Sequence, residues 1–172
     1  SEYITHLDFQ HFESPMVSLE LVEKEISKMK ASTSTLLVSL KKAVELKGAD
    51  NKENKVVFDI EDTLDKVQVE VTDYVSNLLG TSLAAEDVEE AKTCLRISDE
   101  LETISDYGTQ VLKLVLRLKD NQESLTDVQI QEILELHDAI ASFYQDVLGE
   151  KVFTEIEAES VKITQSIRHL RE

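Results

Sequence analysis

The chain is poor in the residues that interrupt helices and in those that cross-link them. Its 172 residues include one proline, four glycines and one cysteine. With Pro15 alone, and near the start, no later stretch loses a helical hydrogen bond to proline. The glycines fall at the ends of periodic stretches or, for Gly108, on a helical seam, and no β-rich run with turn signals appears. These absences predict an all-α fold. A lone Cys94 cannot form an internal disulfide; on the seam it reads as a small buried hydrophobe in a reducing compartment. Cations are also short, 18 against 35 acidic residues, for a net charge of -17. Such a surface repels phosphate backbones and anionic lipid, so nucleic acid is not an expected partner. No window reaches the roughly 18 apolar residues that a membrane span needs, and the longest uncharged run in the helical stretches, Ala31 to Leu40, is rich in Ser and Thr. This stretch of protein is expected not to cross a bilayer itself. It has no secretory start and no initiating Met, and reads as a fragment of a longer gene product.

What the chain does have is apolar spacing of three and four residues, the mark of helices that pack on helices. After a lead-in over residues 1–13, Ser14-Pro15 supplies an N-cap and a tolerated first-turn proline. A seam at Leu19, Val22, Ile26, Met29, Thr33, Leu36, Leu40 and Ala43 then predicts a first helix over 15–47, with Gly48 placed to end it. Asp50 and Glu53 have capping-box spacing, and Val57, Ile60, Leu64, Val67, Val71, Tyr74 and Leu78 predict a second helix over 52–79. A third, over 84–119, carries Cys94, Ile97, Leu101, Ile104, Gly108, Val111, Val115 and Leu118. A fourth over 125–148 is capped within Ser124 to Asp127, with a seam at Gln129, Ile133, Leu136, Ile140, Phe143 and Val147 and with His137 and Tyr144 on the next column. A fifth, over 152–170, repeats the alternation at Phe153, Ile156, Ser160, Ile163, Ile167 and Leu170. Short connections favour antiparallel neighbours, which predicts one domain, an up-down bundle of four to five long helices.

On the third helix Asp99, Glu102 and Asp106 follow helical spacing on the side opposite the seam, so the helix shows an apolar stripe and a carboxylate stripe. Glu61 and Asp65 repeat the four-residue spacing on the second helix. Most such charge is solvated surface, and in so acidic a chain pairs of acids four apart also arise by chance. Catalytic constellations are missing: the residues three before His6, His11, His137 and His169 are Tyr3, Asp8, Leu134 and Ser166, so the Glu-x-x-His pairs of di-iron bundles do not occur. There is no Gly-rich phosphate loop, zinc-type cysteine pair or nucleophile elbow either. No catalytic residue, no organic cofactor and no enzymatic activity are predicted.

The run Glu100-Leu-Glu102-Thr-Ile-Ser-Asp106 resembles the Glu-x-x-x-Asp signature of PhoU-like proteins, with Thr103 and Ser105 departing from its usual Arg and Gly. Leu7-Asp8 followed by Ser14-Pro15, the acidic stretch Glu61 to Val71, and Ile167-Arg168-His169-Leu170-Arg171 resemble, in order, the entry, the second helix and a late Arg-x-x-His-Leu segment of the PhoU-like tail of bacterial sodium/phosphate cotransporters. The resemblance implies a PhoU-like, spectrin-like bundle on the cytoplasmic side of the inner membrane. It would regulate phosphate uptake by a sodium-dependent transporter, and its partner would be the transmembrane region of the same polypeptide. It also implies divalent or ferric ions on the bundle surface, with Glu102 and Asp106 as first ligands and Asp99, Glu61 and Asp65 completing the set; oxygen ligands suit such cations. The alternative is a freestanding helical adaptor without metal or transporter. In the resembled family a further helix follows the Arg-x-x-His-Leu segment. Its lack here would leave Ile130, Tyr144, Val152 and Ile163 exposed, and a homodimer is expected to cover them.

Overall fold

In a computed structural model, which describes residues 5–7, 14–123 and 125–148, four helices follow one another: α1 Pro15–Glu45, α2 Asn51–Leu79, α3 Ala85–Asp120 and α4 Asp127–Leu148. No strand occurs among the described residues, and the all-α antiparallel bundle is the fold observed. The predicted fifth helix lies outside the described residues.

α1 and α2 start on side-chain caps, whereas α3, after Ala84, has none. Ser14 Oγ accepts the Val17 amide, and Pro15 occupies the first turn. Asp50 accepts the amides of Lys52 at 3.0 Å and Glu53 at 3.3 Å. α1 stops at Glu45, two residues before the expected end, because Lys47 (φ 51°) and Gly48 (φ 74°) both turn left-handed and the Gly48 amide reaches back to the Ala43 carbonyl at 2.8 Å. The Gly48 carbonyl then accepts from Asn54 Nδ2 and Lys119 Nζ, which ties the α1–α2 turn to the end of α3.

α1, α2 and α3 pack on one another as a mutually contacting trio. Every residue of the α1 seam is buried, as are Val57, Leu64, Val71, Tyr74 and Leu78 of α2. On α3, Leu101, Ile104, Gly108 and Val115 are buried, and the helix runs unbroken through Gly108. At Gly108 a Cβ would lie 2.9 Å from Leu36 Cδ2 and 3.4 Å from Leu40 Cδ2, so the missing side chain is what allows α1 and α3 to approach there.

α4 lies against α1 and α3. Its buried column is Ile130, Leu134, His137, Ala141 and Tyr144, one residue round from the expected seam, while Gln129 and Leu136 are exposed. The cause is the cap. Thr126 Oγ1 accepts the Gln129 amide at 3.2 Å and Gln129 Oε1 accepts the Thr126 amide at 2.9 Å, a reciprocal capping box that spends Gln129 on the helix start. Two polar anchors then fix the rotation: the Tyr144 hydroxyl donates to the Lys30 carbonyl at 2.7 Å, and His137 Nε2 lies 3.1 Å from the Leu37 carbonyl. Ile130 and Tyr144, expected on an open patch, are therefore covered within one chain, and that argument for a homodimer fails at both. Val152 and Ile163 lie outside the described residues.

The lead-in touches the bundle at residues 5–7. The Thr5 amide donates to Glu70 Oε2 at 2.9 Å, the His6 amide to Glu25 Oε1 at 3.4 Å, and Leu7 is buried in the core.

Candidate carboxylate site on the second and third helices

The acidic residues singled out from sequence come together across the α2–α3 boundary. On α3 Ser98, Ser105 and Thr109 are buried, with their hydroxyls donating to carbonyls of their own helix: Leu95 at 2.9 Å, Glu102 at 2.8 Å and Asp106 at 2.8 Å. Small side chains that satisfy themselves in this way can be buried without an outside partner. By helical spacing they widen the buried face of α3 on the side of Glu102 and Asp106. The carboxylate stripe is thus a flank and not the solvent pole opposite the seam: Glu102 and Asp106 are half-buried, and only Asp99 is fully exposed. Glu61 is half-buried on α2, and Asp65, one turn later, is exposed.

Their electrostatics record the proximity. Burial raises the Glu102 carboxyl above its ordinary range, and then Asp106, Asp65, Glu61 and Asp99 raise it further by repulsion. Glu61 is raised by burial, then by Asp65 and Asp106, against which Lys113 acts in the opposite sense. Glu102 thus feels the other four carboxylates, from both helices, and the site holds excess negative charge. Hydrogen bonds hold its ends: Gln68 Nε2 donates to Asp99 Oδ1 at 2.6 Å across the helix pair, and Gln110 Nε2 donates to Asp106 Oδ2 at 3.0 Å. Ser105, a departure from the resembled motif, is fully buried, with its hydroxyl on the Glu102 carbonyl. Thr103, the other departure, is exposed, and its hydroxyl donates to the Asp99 carbonyl at 2.9 Å.

A metal imposes a stricter demand than shared charge. Among the described residues no group of three His, Cys, Asp or Glu side chains is placed to hold one ion. The five carboxylates spread along the flank, two of them paired with amides, and do not converge on a point.

Sequence reasoning missed a second set of polar groups. Glu25 and Lys41 on α1 are buried, at 4% and 3% exposure, and Glu25 accepts from Lys28 Nζ at 3.1 Å as well as from the lead-in. Glu25 sits beside the seam residues Val22, Ile26 and Met29, and that position was its one sequence signal. His137 Nδ1 is buried without a hydrogen-bond partner among the described residues, in a pocket lined by Leu40, Val44, Val111, Ile133, Leu134 and Ile140.

The architecture and the acidic α3 motif meet in one comparison: the model of the PhoU domain matches residues 26–115, 90 of the 172 residues. The chain belongs to the PhoU family. The matched span holds most of α1, all of α2 and the α3 stripe, so all five carboxylates lie inside the PhoU domain, and α4 lies beyond it. No curated protein and no solved structure matches the chain. The PhoU family is regulatory and non-enzymatic, and its domain points to a role in phosphate homeostasis. No helix of the described residues is long and apolar enough to cross a membrane.

Proposed function

We propose that this PhoU domain regulates sodium-dependent phosphate uptake as the cytoplasmic part of a transporter at the inner membrane, and that cations taken up by the α2–α3 carboxylates modulate it. The observation that carries the cation half is that Glu102, already raised by burial, is repelled by Asp106, Asp65, Glu61 and Asp99, and Glu61, also raised by burial, by Asp65 and Asp106. A carboxylate whose proton affinity is raised by neighbouring negative charge also attracts other positive charge, and a hard or borderline cation with oxygen ligands relieves the same repulsion. As the side chains stand they form no preformed cage. Glu102 and Asp106 would turn onto a divalent or ferric ion first, and Glu61, Asp65 and Asp99 would follow by changing rotamer.

The transporter half is supported by the order of the resembling segments: Leu7-Asp8 before Ser14-Pro15, then the acidic α2, then the α3 motif. Its check is the full reading frame, which should encode a polytopic hydrophobic region upstream; a frame without one favours the freestanding adaptor.

The cation half is tested by melting. Ferric or divalent ions should raise the Tm of the wild type by mass action, because they bind the folded state, and Glu102→Gln with Asp106→Asn should abolish the rise. Equal rises in both proteins would return the stripe to ordinary solvated surface.

A further inference from the structure

Between α1 and α2, away from the carboxylate flank, lies a cleft of about 220 Å³. Its apolar wall is Met29 and Leu64, both buried, and Val67, half-buried. Its polar wall is Ser32 and Thr63, one from each helix, with the pair Glu25 and Lys28 of α1. Glu25 is the unusual member. A carboxylate only 4% exposed ordinarily has its oxygens satisfied by protein groups. Here Lys28 Nζ at 3.1 Å and the His6 amide at 3.4 Å both donate to Oε1, and Oε2 has no hydrogen-bond partner among the described residues. Lys28 is exposed, and its ammonium keeps further N–H donors beyond the one it gives Glu25.

We propose that this cleft binds a small α-amino acid with an aliphatic side chain. Size, charge and spacing each narrow the ligand. The volume exceeds the ~150 Å³ that admits a benzene ring and falls short of the roughly 300 Å³ at which drug-sized sites begin, which suits a small metabolite. Charge excludes molecules of a single sign: an anion would meet Glu25 in a chain of net charge -17, and a cation would meet Lys28. A zwitterion meets neither objection. Its ammonium donates to Glu25 Oε2 and its carboxylate accepts from Lys28 Nζ, which closes a ring of alternating charges. Because Glu25 and Lys28 are themselves 3.1 Å apart, the ring closes on charges borne by adjacent carbons, as in an α-amino acid. The side chain then lies on Met29, Leu64 and Val67, a wall without aromatic or polar groups, while Ser32 and Thr63 give hydroxyls to the head group.

The test is calorimetric titration of the full chain with L-leucine, and with isoamylamine and isocaproate, which lack its carboxylate and its ammonium in turn. L-Leucine should bind saturably with a Kd of about 1 mM or below, and each single-charge analogue at least about tenfold more weakly. Glu25→Gln keeps an acceptor for the His6 amide and removes the charge, so it should weaken L-leucine by about tenfold or more. Ser32→Leu fills the cleft from a half-buried position with a good helix former, and should abolish binding with helicity retained; it decides the matter if the Glu25 variant fails to fold. Absence of saturable heat from L-leucine up to about ten times that Kd overturns the proposal. Isoamylamine binding as tightly as L-leucine assigns a plain cation site and also overturns it. So does L-leucine binding that Ser32→Leu leaves unchanged, which places the amino acid elsewhere.

Discussion

The trio of α1, α2 and α3 and the added α4 are held in different ways. In the trio, burial is mainly apolar and continuous, and beside Glu25, Lys41 and Asn54 its buried polar side chains are small hydroxyls, turned back on their own helix at Thr33, Ser98, Ser105 and Thr109. α4 is held through fewer apolar residues and two polar anchors onto backbone carbonyls of α1. Apolar seams are indifferent to pH and tolerate small rotations; a buried imidazole and a buried phenol fix one rotation and make it conditional. The difference teaches that the trio is the stable unit and that α4 is the element whose docking solution conditions can alter.

The largest effect expected from this contrast is on the trio. Leu101, fully buried, should cost about 2 to 5 kcal/mol when truncated to Ala, and the loss should appear in global unfolding. Leu134→Ala, although its residue is also buried, should act locally: hydrogen exchange should speed up along α4 while α1 to α3 stay protected. If the two variants expose the same amides, the molecule is one cooperative unit and the contrast is false.

Next in size is the effect of acid. The Leu37 carbonyl must accept from Nε2–H, which leaves Nδ1 as an unpartnered lone pair among apolar side chains. Burial pushes the His137 pKa below its ordinary 6.5; the Leu37 carbonyl opposes that, the buried Lys41 on α1 adds to it, and Asp138 on α4 opposes it, while α3 presents Val111. A histidine whose folded pKa is depressed binds more protons when undocked, so stability is complete above pH 6.5 and declines as pH falls below it. The α4 amides should lose protection over that window while the trio does not, and His137→Leu should flatten the α4 response. A response that survives the substitution would assign the acid sensitivity elsewhere.

The smallest effect belongs to the carboxylate flank. Glu102 is raised in the folded state, so its ionised form destabilises the fold above the usual carboxylate value of 4.5 and is without effect well below it. In the absence of added metal, Glu102→Gln should raise Tm by a few degrees at most near neutral pH, and the gain should vanish in acid. A lower Tm at neutral pH would show that the carboxylate is held by favourable contacts and not repelled.

The trio was legible in the sequence because three-four spacing reports a helix whose two neighbours both bury the same face. Every α1 seam residue is buried for that reason. α4 was legible as a helix but not in its rotation: Ile133, Leu136 and Ile140 are as apolar as Leu134 and Ala141, and hydrophobicity alone cannot rank two adjacent columns. What chose between them is a capping box and two hydrogen bonds to carbonyls 100 and 114 residues away in sequence. The five carboxylates were readable as spacing within each helix. That α2 and α3 set them on one flank is a tertiary juxtaposition, seen in the Gln68–Asp99 hydrogen bond, which spacing within one helix does not report; nor does it report the burial of Ser98, Ser105 and Thr109, residues whose pattern is polar although their position is not.

The lead-in gives one further consequence, in isotope exchange. The amides of Thr5 and His6 donate to carboxylates, and the Leu7 amide lies 3.4 Å from the Thr5 hydroxyl. None of the three belongs to a helix, a setting in which amide protons ordinarily leave within the mixing time of an experiment. Here they should persist, and for two reasons: opening must break the contacts with Glu25 and Glu70, and hydroxide, the species that removes the proton, is repelled by the same carboxylates. Deuterium uptake at these three amides thus reports from the edge of the bundle on whether the chain entering it is attached or loose.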